Sequence, residues 1–326
     1  MNSARPEDAA ATPPARALVS VVMHCYNAAP HIAEAIQSVM GQSYSEVELI
    51  VVDDGSTDRS VDIVSQLMRE HPGRIRQLFT SRLGPYPARN HGLRSAGGAF
   101  VAFLDADNGW LPETLEKLHH ALSAGGAEMA YCGWQNLGEG GSLEPNIPPE
   151  YEKGDPVESF LRACPCPLHA ALLKRSVVDR IGGFSERRYS SMDYDYWLRV
   201  LARARNIVLV PEAMAFSRRS GQGQIAVAAW RHVLDTLAAQ NDFIRANPRL
   251  VAHIPPRRLR ELTEGQVLRQ AYRTFWKRDL LSAQKLFRHV ARQQSFALRD
   301  VRHVAAALLP MSLYRRIVKL AERSRL

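Results

Sequence analysis

Two aspartates that follow an apolar run are the residues of this sequence best placed to do chemistry. Residues 100–104 predict a fully buried strand, and Asp105 and Asp107 come directly after it, one residue apart. In an open α/β sheet, ligands bind at the carboxyl ends of the strands, and carboxylates suit a hard divalent cation that also holds a phosphate. The same aspartates also suit a solvated loop that caps a helix starting near Pro112, so the pattern alone leaves both interpretations open.

A second predicted strand also ends in acidic residues. Residues 47–52 run into Asp53 and Asp54. Parallel neighbours bring their carboxyl ends to the same sheet edge, so we expect the two acidic loops to line one crevice. No Gly-x-Gly-x-x-Gly follows the first strand and no Gly-Lys-Ser/Thr phosphate loop occurs, which argues against a dinucleotide oxidoreductase and a P-loop enzyme. Tyr26 instead offers an aromatic ring on which a base could stack.

The elements that must position these residues alternate between strand and helix. Strands are predicted at 19–23, 47–52, 75–80 and 100–104, and short helices separate them. Asn27 is placed to cap the first of these helices and Gly41 to end it. The order predicts an α/β fold, with a mostly parallel sheet flanked by helices over residues 18–224.

The two ends of the chain differ from this alternating pattern of strands and helices. Residues 1–17 are rich in Ala and Pro, lack the apolar core of a signal peptide and predict a disordered leader. Residues 225–326 predict a basic helical C-terminal region, with candidate helices at 227–246, 257–277, 280–293 and 295–309. Four irregularly spaced cysteines indicate reduced thiols in a cytoplasmic protein, and no stretch reaches the ~18 apolar residues of a membrane span.

The net charge of +9 is concentrated in the C-terminal region, where residues 225–326 hold 20 Lys/Arg and 7 Asp/Glu. Such an asymmetry indicates an anionic partner, either a membrane surface or nucleic acid, although a solvated helical face explains it equally well. No recognisable nucleic-acid motif with interleaved aromatic residues accompanies it. The final stretch, 313–320, is basic and amphipathic, so it can lie peripherally on the anionic inner face of a membrane or pack within a helical bundle.

Five ordered blocks resemble the inverting glycosyltransferases of family 2, which have the Rossmann-like GT-A fold. They lie between residues 18 and 220, at 19–27, 51–58, 88–92, 103–108 and, as one late signature, 182–184 with 193–199. The resemblance implies a nucleotide-diphosphate-sugar donor, most often a UDP-sugar, and a Mn²⁺ or Mg²⁺ cofactor. It further implies transfer to a hydroxyl of a glycan or lipid-linked acceptor, in cell-envelope or exopolysaccharide synthesis.

Position by position, the resemblance also implies roles for individual residues. Asp193 matches the catalytic base and Asp107 the direct metal ligand. The nucleotide contacts that it implies are Tyr26 against the base, Asp53 beside Asp54 at the uracil ring, Arg89 near the diphosphate and Asp105 on the ribose side. Independently of the resemblance, Asp193 is also placed to be a helix N-cap before 194–203, and Asp195 is its competitor as base.

Three departures from the family pattern stand beside these matches. Met192 replaces the usual Glu before the base, Asn108 replaces a second Asp after the metal ligand, and His24 stands where a small polar residue is common. A catalytically degenerate nucleotide-sugar-binding module is therefore the alternative function. A nucleotidyltransferase is a third class, but its Gly-rich loop with Arg or Lys is absent after the first strand.

Four further residues carry weaker predictions. His169 is placed to reach the acceptor sugar or the metal, although a lone histidine is more often structural. Trp197, with Trp134, predicts either a sugar-stacking wall or buried packing. Arg218 and Arg219 predict either charge-assisted hydrogen bonds to the leaving diphosphate or an exposed basic turn.

Overall fold

The computed structural model describes residues 17–138, 141–142, 144–186, 190–218 and 228–323 of the 326-residue chain. The predicted leader lies almost wholly outside these residues. The strands are β1 Val19–Cys25, β2 Val47–Asp53, β3 Ile75–Phe79, β4 Phe100–Asp105, β5 Asn108–Trp110, β6 Met129–Gly138, β7 Gly141–Ser142, β8 Ala171–Lys174 and β9 Ile207–Arg218. They form one sheet in the order β3-β2-β1-β4-β8-β6-β9-β5, with β7 paired to β6.

The first half of the sheet is parallel, as predicted. Strands β3, β2, β1 and β4 pair in parallel with one another. Strands β2, β1 and β4 are rich in apolar residues and are buried along nearly their whole length, since helices cover both faces of such a sheet. Beyond β4 the sheet becomes mixed, because β8 runs antiparallel to both β4 and β6.

Helices surround the sheet and then continue as a separate C-terminal layer. The helices between strands are α1 Ile32–Met40, α2 Ser60–Glu70, α3 Pro85–Ser95, α4 Thr114–Ala124, α5 Pro156–Arg162, α6 Arg175–Ile181 and α7 Met192–Arg203. The later helices are α8 Ala229–Ala246, α9 Pro248–Val251, α10 Pro256–Leu262, α11 Glu264–Trp276, α12 Leu280–Arg292, α13 Val301–Leu308 and α14 Met311–Arg323.

Three sequence-based boundaries are wrong. The predicted helix 295–309 is a 3-10 turn at Leu298–Asp300 followed by α13, which begins only at Val301. Asn27 does not cap α1, because His31 is the N-cap residue and Asn27 has φ 47 with its side chain turned to the neighbouring loop. The predicted helix 257–277 is divided at Thr263, whose φ −106 and ψ −92 interrupt the helical backbone between α10 and α11. The sequence marks this break only by Gly265, two residues further on in the first turn of α11, and the predicted helix ran through it.

Helix α8 joins the two hydrophobic cores of the chain. Ala239 and Phe243 pack in the core under the sheet. Leu237, on the same helix, belongs to a second core that α11, α12, α13 and α14 build. The start of the predicted C-terminal region is therefore packed on the catalytic domain by way of α8. Among the described residues, no helix combines the length and the apolar character needed to cross a membrane.

Candidate functional site

The two acidic loops lie on either side of the end of β1. In the parallel pairing, Cys25 is opposite Asp53 of β2 and His24 is opposite Asp105 of β4. The two acidic loops are therefore neighbours at the carboxyl edge of the sheet, where the crevice was predicted. His24 lies near the end of β1 between them, and burial lowers the pKa of its imidazole to about 4, so this ring is neutral near pH 7.

Asp53 and Asp54 both shape the predicted nucleotide loops. Asp53 accepts hydrogen bonds from the amides of Gly55 and Ser56 at 3.1 and 2.9 Å, so it orients its own loop. Asp54 is 3% exposed, and its carboxylate accepts bonds from Thr80 Oγ1 and from the amides of Leu83 and Gly84. Asp54 thus ties the end of β2 to the segment 80–84.

The residues after β1 are joined to the same loops. Asn27 Oδ1 accepts a hydrogen bond from the amide of Thr57 at 2.8 Å, and the amide of Asn27 donates to Ser56 Oγ at 2.9 Å. The guanidinium of Arg82 lies over the ring of Tyr26, 5.0 Å from its centroid. One face of the ring on which a nucleobase was predicted to stack is thus covered by a cation, whose contact with an aromatic ring is attractive.

Arg89 lies between the carboxylates of Asp105 and Asp193. It enters from α3, is 5% exposed, and its Nη2 lies 2.5 Å from Asp105 Oδ1. Its Nη1 lies 4.0 Å from Asp193 Oδ1. The side chains of Asp105 and Asp193 are 33% and 43% exposed, so one buried cation holds two acids that solvent and ligands can reach.

The aromatic rings of Tyr86 and Phe184 flank Arg89, and no role was predicted for either from the sequence. The centroids of Tyr86 and Phe184 lie 5.6 and 5.8 Å from the guanidinium carbon. These contacts fix a buried arginine that would otherwise have many rotamers. Tyr86 stands three residues before Arg89, one turn along α3, and that spacing is the signal that could have found it.

The contact between two of the sequence blocks explains how Arg89 and Asp193 meet. Asn90 accepts a hydrogen bond from the amide of Phe184 at 2.6 Å and donates to its carbonyl at 2.9 Å. A Cβ on Gly183 would lie 2.2 Å from Asn90 Oδ1, so only glycine permits this approach. The block 88–92 is therefore bound to the block 182–184 that precedes α7.

Asp193 lies in the first turn of α7, where it does not act as the N-cap. Ser191 is the N-cap residue, and Met192 before Asp193 is fully buried. Burial raises the pKa of Asp193 to about 6, against the opposing charge of Arg89. Asp195, the competing candidate, is held 2.9 Å from Arg199, one turn further along the same helix.

Asp105 titrates in the opposite direction from Asp193. Burial alone would raise its pKa, but the charge and the hydrogen bond of Arg89 lower it below the ordinary value. Asp105 is therefore ionised over the whole physiological range, whereas Asp193 can exchange a proton near neutrality. Such a pair of carboxylates with pKa values pushed apart indicates acid–base chemistry.

The residues that could hold a divalent cation follow β4. Asp107 is half-buried two residues beyond Asp105, which has one oxygen on Arg89. No cluster of three or more His, Cys, Asp and Glu side chains suited to a metal occurs within the described ranges. Mg²⁺ and related cations usually take one or two carboxylates together with substrate phosphates, so this donor set fits a metal that arrives with a diphosphate.

His169 and Trp197 have structural environments. His169 is 3% exposed; its Nδ1 lies 3.3 Å from Asn108 Nδ2 and its Nε2 lies 3.0 Å from Ser217 Oγ. Both ring nitrogens are engaged, which favours the structural interpretation over a metal or acceptor ligand. Trp197 is fully buried and donates to the carbonyl of Cys166 at 2.9 Å, so its predicted sugar-stacking role is wrong.

The predicted basic loop is only partly described. Arg218 forms an ion pair with Glu34 of α1, so its guanidinium already has a carboxylate partner. Arg219 lies outside the described residues. The predicted contacts of both arginines with a leaving diphosphate remain predictions.

Solved structures similar to this chain have the predicted GT-A fold. S. aureus TarS residues 1–349, in complex with UDP-GlcNAc, superposes with a TM-score of 0.65 at 18% identity, covering 94% of this chain and 92% of that one. The mannosyltransferase PcManGT from Pyrobaculum calidifontis, in complex with GDP-Man and Mn²⁺, gives 0.58 at 22% identity, with coverages of 97% and 87%.

Sequence relatives match over shorter segments. An uncharacterised glycosyltransferase from Nostoc sp. is 42% identical over 100 residues, which is 31% of each chain. The Escherichia coli UDP-Glc:alpha-D-GlcNAc-diphosphoundecaprenol beta-1,3-glucosyltransferase WfaP is 28% identical over 204 residues, covering 59% of this chain and 75% of WfaP. The chain spans less than two thirds of the length of the first curated relatives it matches. The model of the family described as glycosyl transferase family 2 matches residues 20–191, more than half of the sequence, and the chain belongs to that family.

Proposed function

We propose that this protein is an inverting glycosyltransferase that moves a sugar from a nucleotide-diphosphate donor, most readily a UDP-sugar, to an acceptor hydroxyl. The observation that carries the proposal is the position of Asp193, whose half-buried side chain lies 4.0 Å from buried Arg89 and has a pKa of about 6. A general base works best when its pKa lies near the working pH.

Asp193 is the base in this scheme. The acceptor oxygen attacks the anomeric carbon, its proton passes to the Asp193 carboxylate, and the bond between the anomeric carbon and the diphosphate oxygen breaks. The attack comes from the face opposite the diphosphate, which leaves with the bonding electron pair, so the anomeric configuration is inverted. The retention of Asp193 argues against the degenerate binding module. Met192, which replaces the usual Glu before it, is buried and leaves the carboxylate of Asp193 in place.

The donor side is formed by the loops at the ends of β1, β2 and β4. Tyr26 lies against the nucleobase, Asp54 accepts a hydrogen bond from the nucleobase, and Asp53 keeps the loop of Asp54 in place. Arg89 and Asp105 lie between the nucleotide and the general base Asp193. UDP-GlcNAc in TarS and GDP-Man in PcManGT support a nucleotide-sugar donor, and the identity of the nucleotide here is our proposal.

Asp107, with Asp105 beside it, would hold Mn²⁺ or Mg²⁺ together with the donor diphosphate. A bound divalent cation supplies Lewis-acid stabilisation of the charge that develops on a leaving diphosphate. The Mn²⁺ in PcManGT supports this assignment. What the chain itself contributes is the half-buried Asp107 carboxylate at the end of β4 and the Arg89 cation nearby.

The acceptor that we propose is a glycan or a lipid-linked glycan of the cell envelope. WfaP, by its name a glucosyltransferase that acts on a diphosphoundecaprenol-linked GlcNAc, supports this class of acceptor. Helix α14 supports peripheral contact with an anionic membrane. It packs through Tyr314 and Val318, whereas Leu313, Ile317 and Leu320 are 44%, 40% and 62% exposed and alternate with Arg and Lys.

A donor screen tests the proposal. The purified protein is incubated with UDP-, GDP- and dTDP-linked sugars in the presence of Mn²⁺, of Mg²⁺ or of a chelator, and the release of nucleoside diphosphate is measured. Metal-dependent release from a UDP-sugar, lost in Asp193→Asn, is the expected result. Release from none of the donors, together with UDP binding that is independent of metal, would favour the binding module instead.

A further inference from the structure

The residue at the start of the α7 helix has an unusual backbone conformation. Ser191 has φ 59 and ψ 22, the left-handed region that residues other than glycine rarely adopt. A serine N-cap ordinarily accepts a hydrogen bond from a helix amide, yet Ser191 makes no side-chain cap bond. Such a conformation persists only where the surroundings hold it in place.

The surroundings that hold Ser191 belong to helix α8 of the C-terminal region. Ser191 Oγ lies 2.8 Å from Thr236 Oγ1 and 3.1 Å from His232 Nδ1. Thr236 and Ser191 can both donate to the carbonyl of His232, at 2.9 and 3.2 Å, and either hydroxyl can donate to the other. Ser190 donates to Asp235 Oδ2 at 2.6 Å, and both serines are buried.

A second anchor holds the same turn from the other side. Tyr194 donates to the carbonyl of Phe160 at 2.7 Å, at the end of α5. Gln240 of α8 donates to the carbonyl of Leu161 at 2.7 Å. The first turn of α7 and helix α8 are therefore bound to the same end of α5, and Asp193 lies within that turn.

We propose that helix α8 positions the catalytic base: contacts of His232, Asp235 and Thr236 with Ser190 and Ser191 hold Asp193 beside Arg89. The inference rests on the proposed function, in which Asp193 accepts the proton. His232, Asp235 and Thr236 are positioning residues that act through the two serines. A displacement of about 1 Å in a reacting group can lower a rate by up to about 100-fold, so this support affects turnover.

Thr236→Val tests the proposal, because valine keeps the shape of threonine and removes its hydroxyl. Thr236→Ser restores the hydroxyl and is the rescue variant. Thr274→Val is the matched control, since Thr274 of α11 also donates to a carbonyl four residues earlier, that of Gln270 at 2.9 Å, within the second core. Asp193→Asn is measured in parallel. The probes are UDP-glucose, UDP-GlcNAc and GDP-mannose hydrolysis with Mn²⁺, UDP binding by calorimetry, and amide hydrogen exchange of residues 192–197.

We expect Thr236→Val to lower kcat about 10-fold with UDP affinity unchanged, to speed amide exchange at 192–197, and to recover in Thr236→Ser. The ionisable groups that face Asp193 are Arg89, Asp105, Tyr86 and Cys164, and Thr236→Val changes none of them. A released Asp193 is better hydrated, so the acidic limb of the rate profile should move to lower pH.

The outcomes distinguish the positioning role of α8 from the proposed role of Asp193 as the base. If Thr236→Val matches wild type in exchange at 192–197, or if Thr274→Val produces the same kinetic loss, α8 does not position the base. If Asp193→Asn is inactive while Thr236→Val is normal, only the positioning inference fails. If Asp193→Asn hydrolyses the donors at the wild-type rate, the proposed base itself is wrong.

Discussion

Arg89 Nη1 lies 4.0 Å from Asp193 Oδ1, although 104 residues separate them in the chain. The two residues meet because Asn90 binds both backbone groups of Phe184 and thereby brings the start of α7 to α3. The contact gives the proposed base a buried cationic neighbour that limits how far burial can raise its pKa. The proposed mechanism depends on this relationship.

The first prediction concerns pH. Burial raises the pKa of Asp193 from its ordinary value of 3.8 to about 6. Catalysis needs the ionised form, so kcat/KM should rise with pH through about 6 and then level. The effect of pH on stability has the opposite sign. Folding takes up a proton at Asp193 between about pH 4 and pH 6, so the contribution of Asp193 to the free energy of unfolding falls as the pH rises through that window. A rate profile with no limb near pH 6 would exclude Asp193 as the titrating base.

The second prediction concerns the metal. Asp107→Asn removes a hard anionic ligand, so it should abolish most Mn²⁺-dependent turnover and raise the Mn²⁺ concentration needed for half-activation. Donor hydrolysis measured across a Mn²⁺ titration reports both effects. Asp62→Asn, at an exposed acid on α2, is the control and should be neutral. Unchanged Mn²⁺ dependence in Asp107→Asn would show that the ligand lies elsewhere.

The third prediction concerns the nucleotide loop. Asp54→Ala should weaken UDP binding by about 1–3 kcal/mol, the cost of losing a buried charged hydrogen-bond partner. Because Asp54 also binds Thr80, Leu83 and Gly84, the variant should unfold at lower temperature as well. Thr80→Val separates the effects, since it weakens the loop without touching the nucleotide. Calorimetry that gives equal UDP affinity for Asp54→Ala and wild type would remove Asp54 from the site.

The fourth prediction concerns the outer face of α14. Truncation after Pro310 would remove Tyr314 and Val318 from the second core, so substitution is the cleaner experiment. Leu313→Ser with Ile317→Ser should reduce co-sedimentation with vesicles of phosphatidylcholine and phosphatidylglycerol while thermal stability is kept.

The control for the α14 experiment is Leu298→Ser, which alters a 92% exposed leucine outside that helix. It should leave vesicle binding intact. Vesicles of phosphatidylcholine alone test the contribution of charge, and they should bind wild type more weakly. If the double variant and wild type co-sediment equally with the anionic vesicles, α14 serves only to pack the bundle.

What the sequence could predict was local. Apolar runs ending in carboxylates located β2 and β4, because a buried parallel strand needs a continuous apolar stretch and its loop does not. The direction of a side chain on an amphipathic helix is harder to predict, which is why Trp197 was misplaced: on α7 it faces the core and binds the carbonyl of Cys166. The same uncertainty applied to His169, whose partners Asn108 and Ser217 come from β5 and β9.

Non-local contacts could not be predicted from spacing. The rings of Tyr86 and Phe184 meet at Arg89 only after α3 and the segment before α7 have packed together. The support of Ser191 by α8 requires the C-terminal region to fold against the catalytic domain. The contact of Phe184 with Arg89 and the support of Ser191 leave no periodic signal, because each is set by the packing of two elements; only Tyr86, one turn before Arg89 on α3, has a spacing that indicates its contact.

The most direct test of the account is Asp193→Asn beside Asp195→Asn. Asn keeps the size of Asp193 but accepts a proton poorly, so turnover should fall roughly 10²–10⁴-fold with UDP affinity nearly unchanged. Asp195 forms an ion pair with Arg199 instead of facing Arg89, so Asp195→Asn should retain most activity. Turnover of the donor found in the screen, with thermal melting to verify folding, is the measurement. An inactive Asp195→Asn with a normal Asp193→Asn, or full turnover in both, would contradict the account.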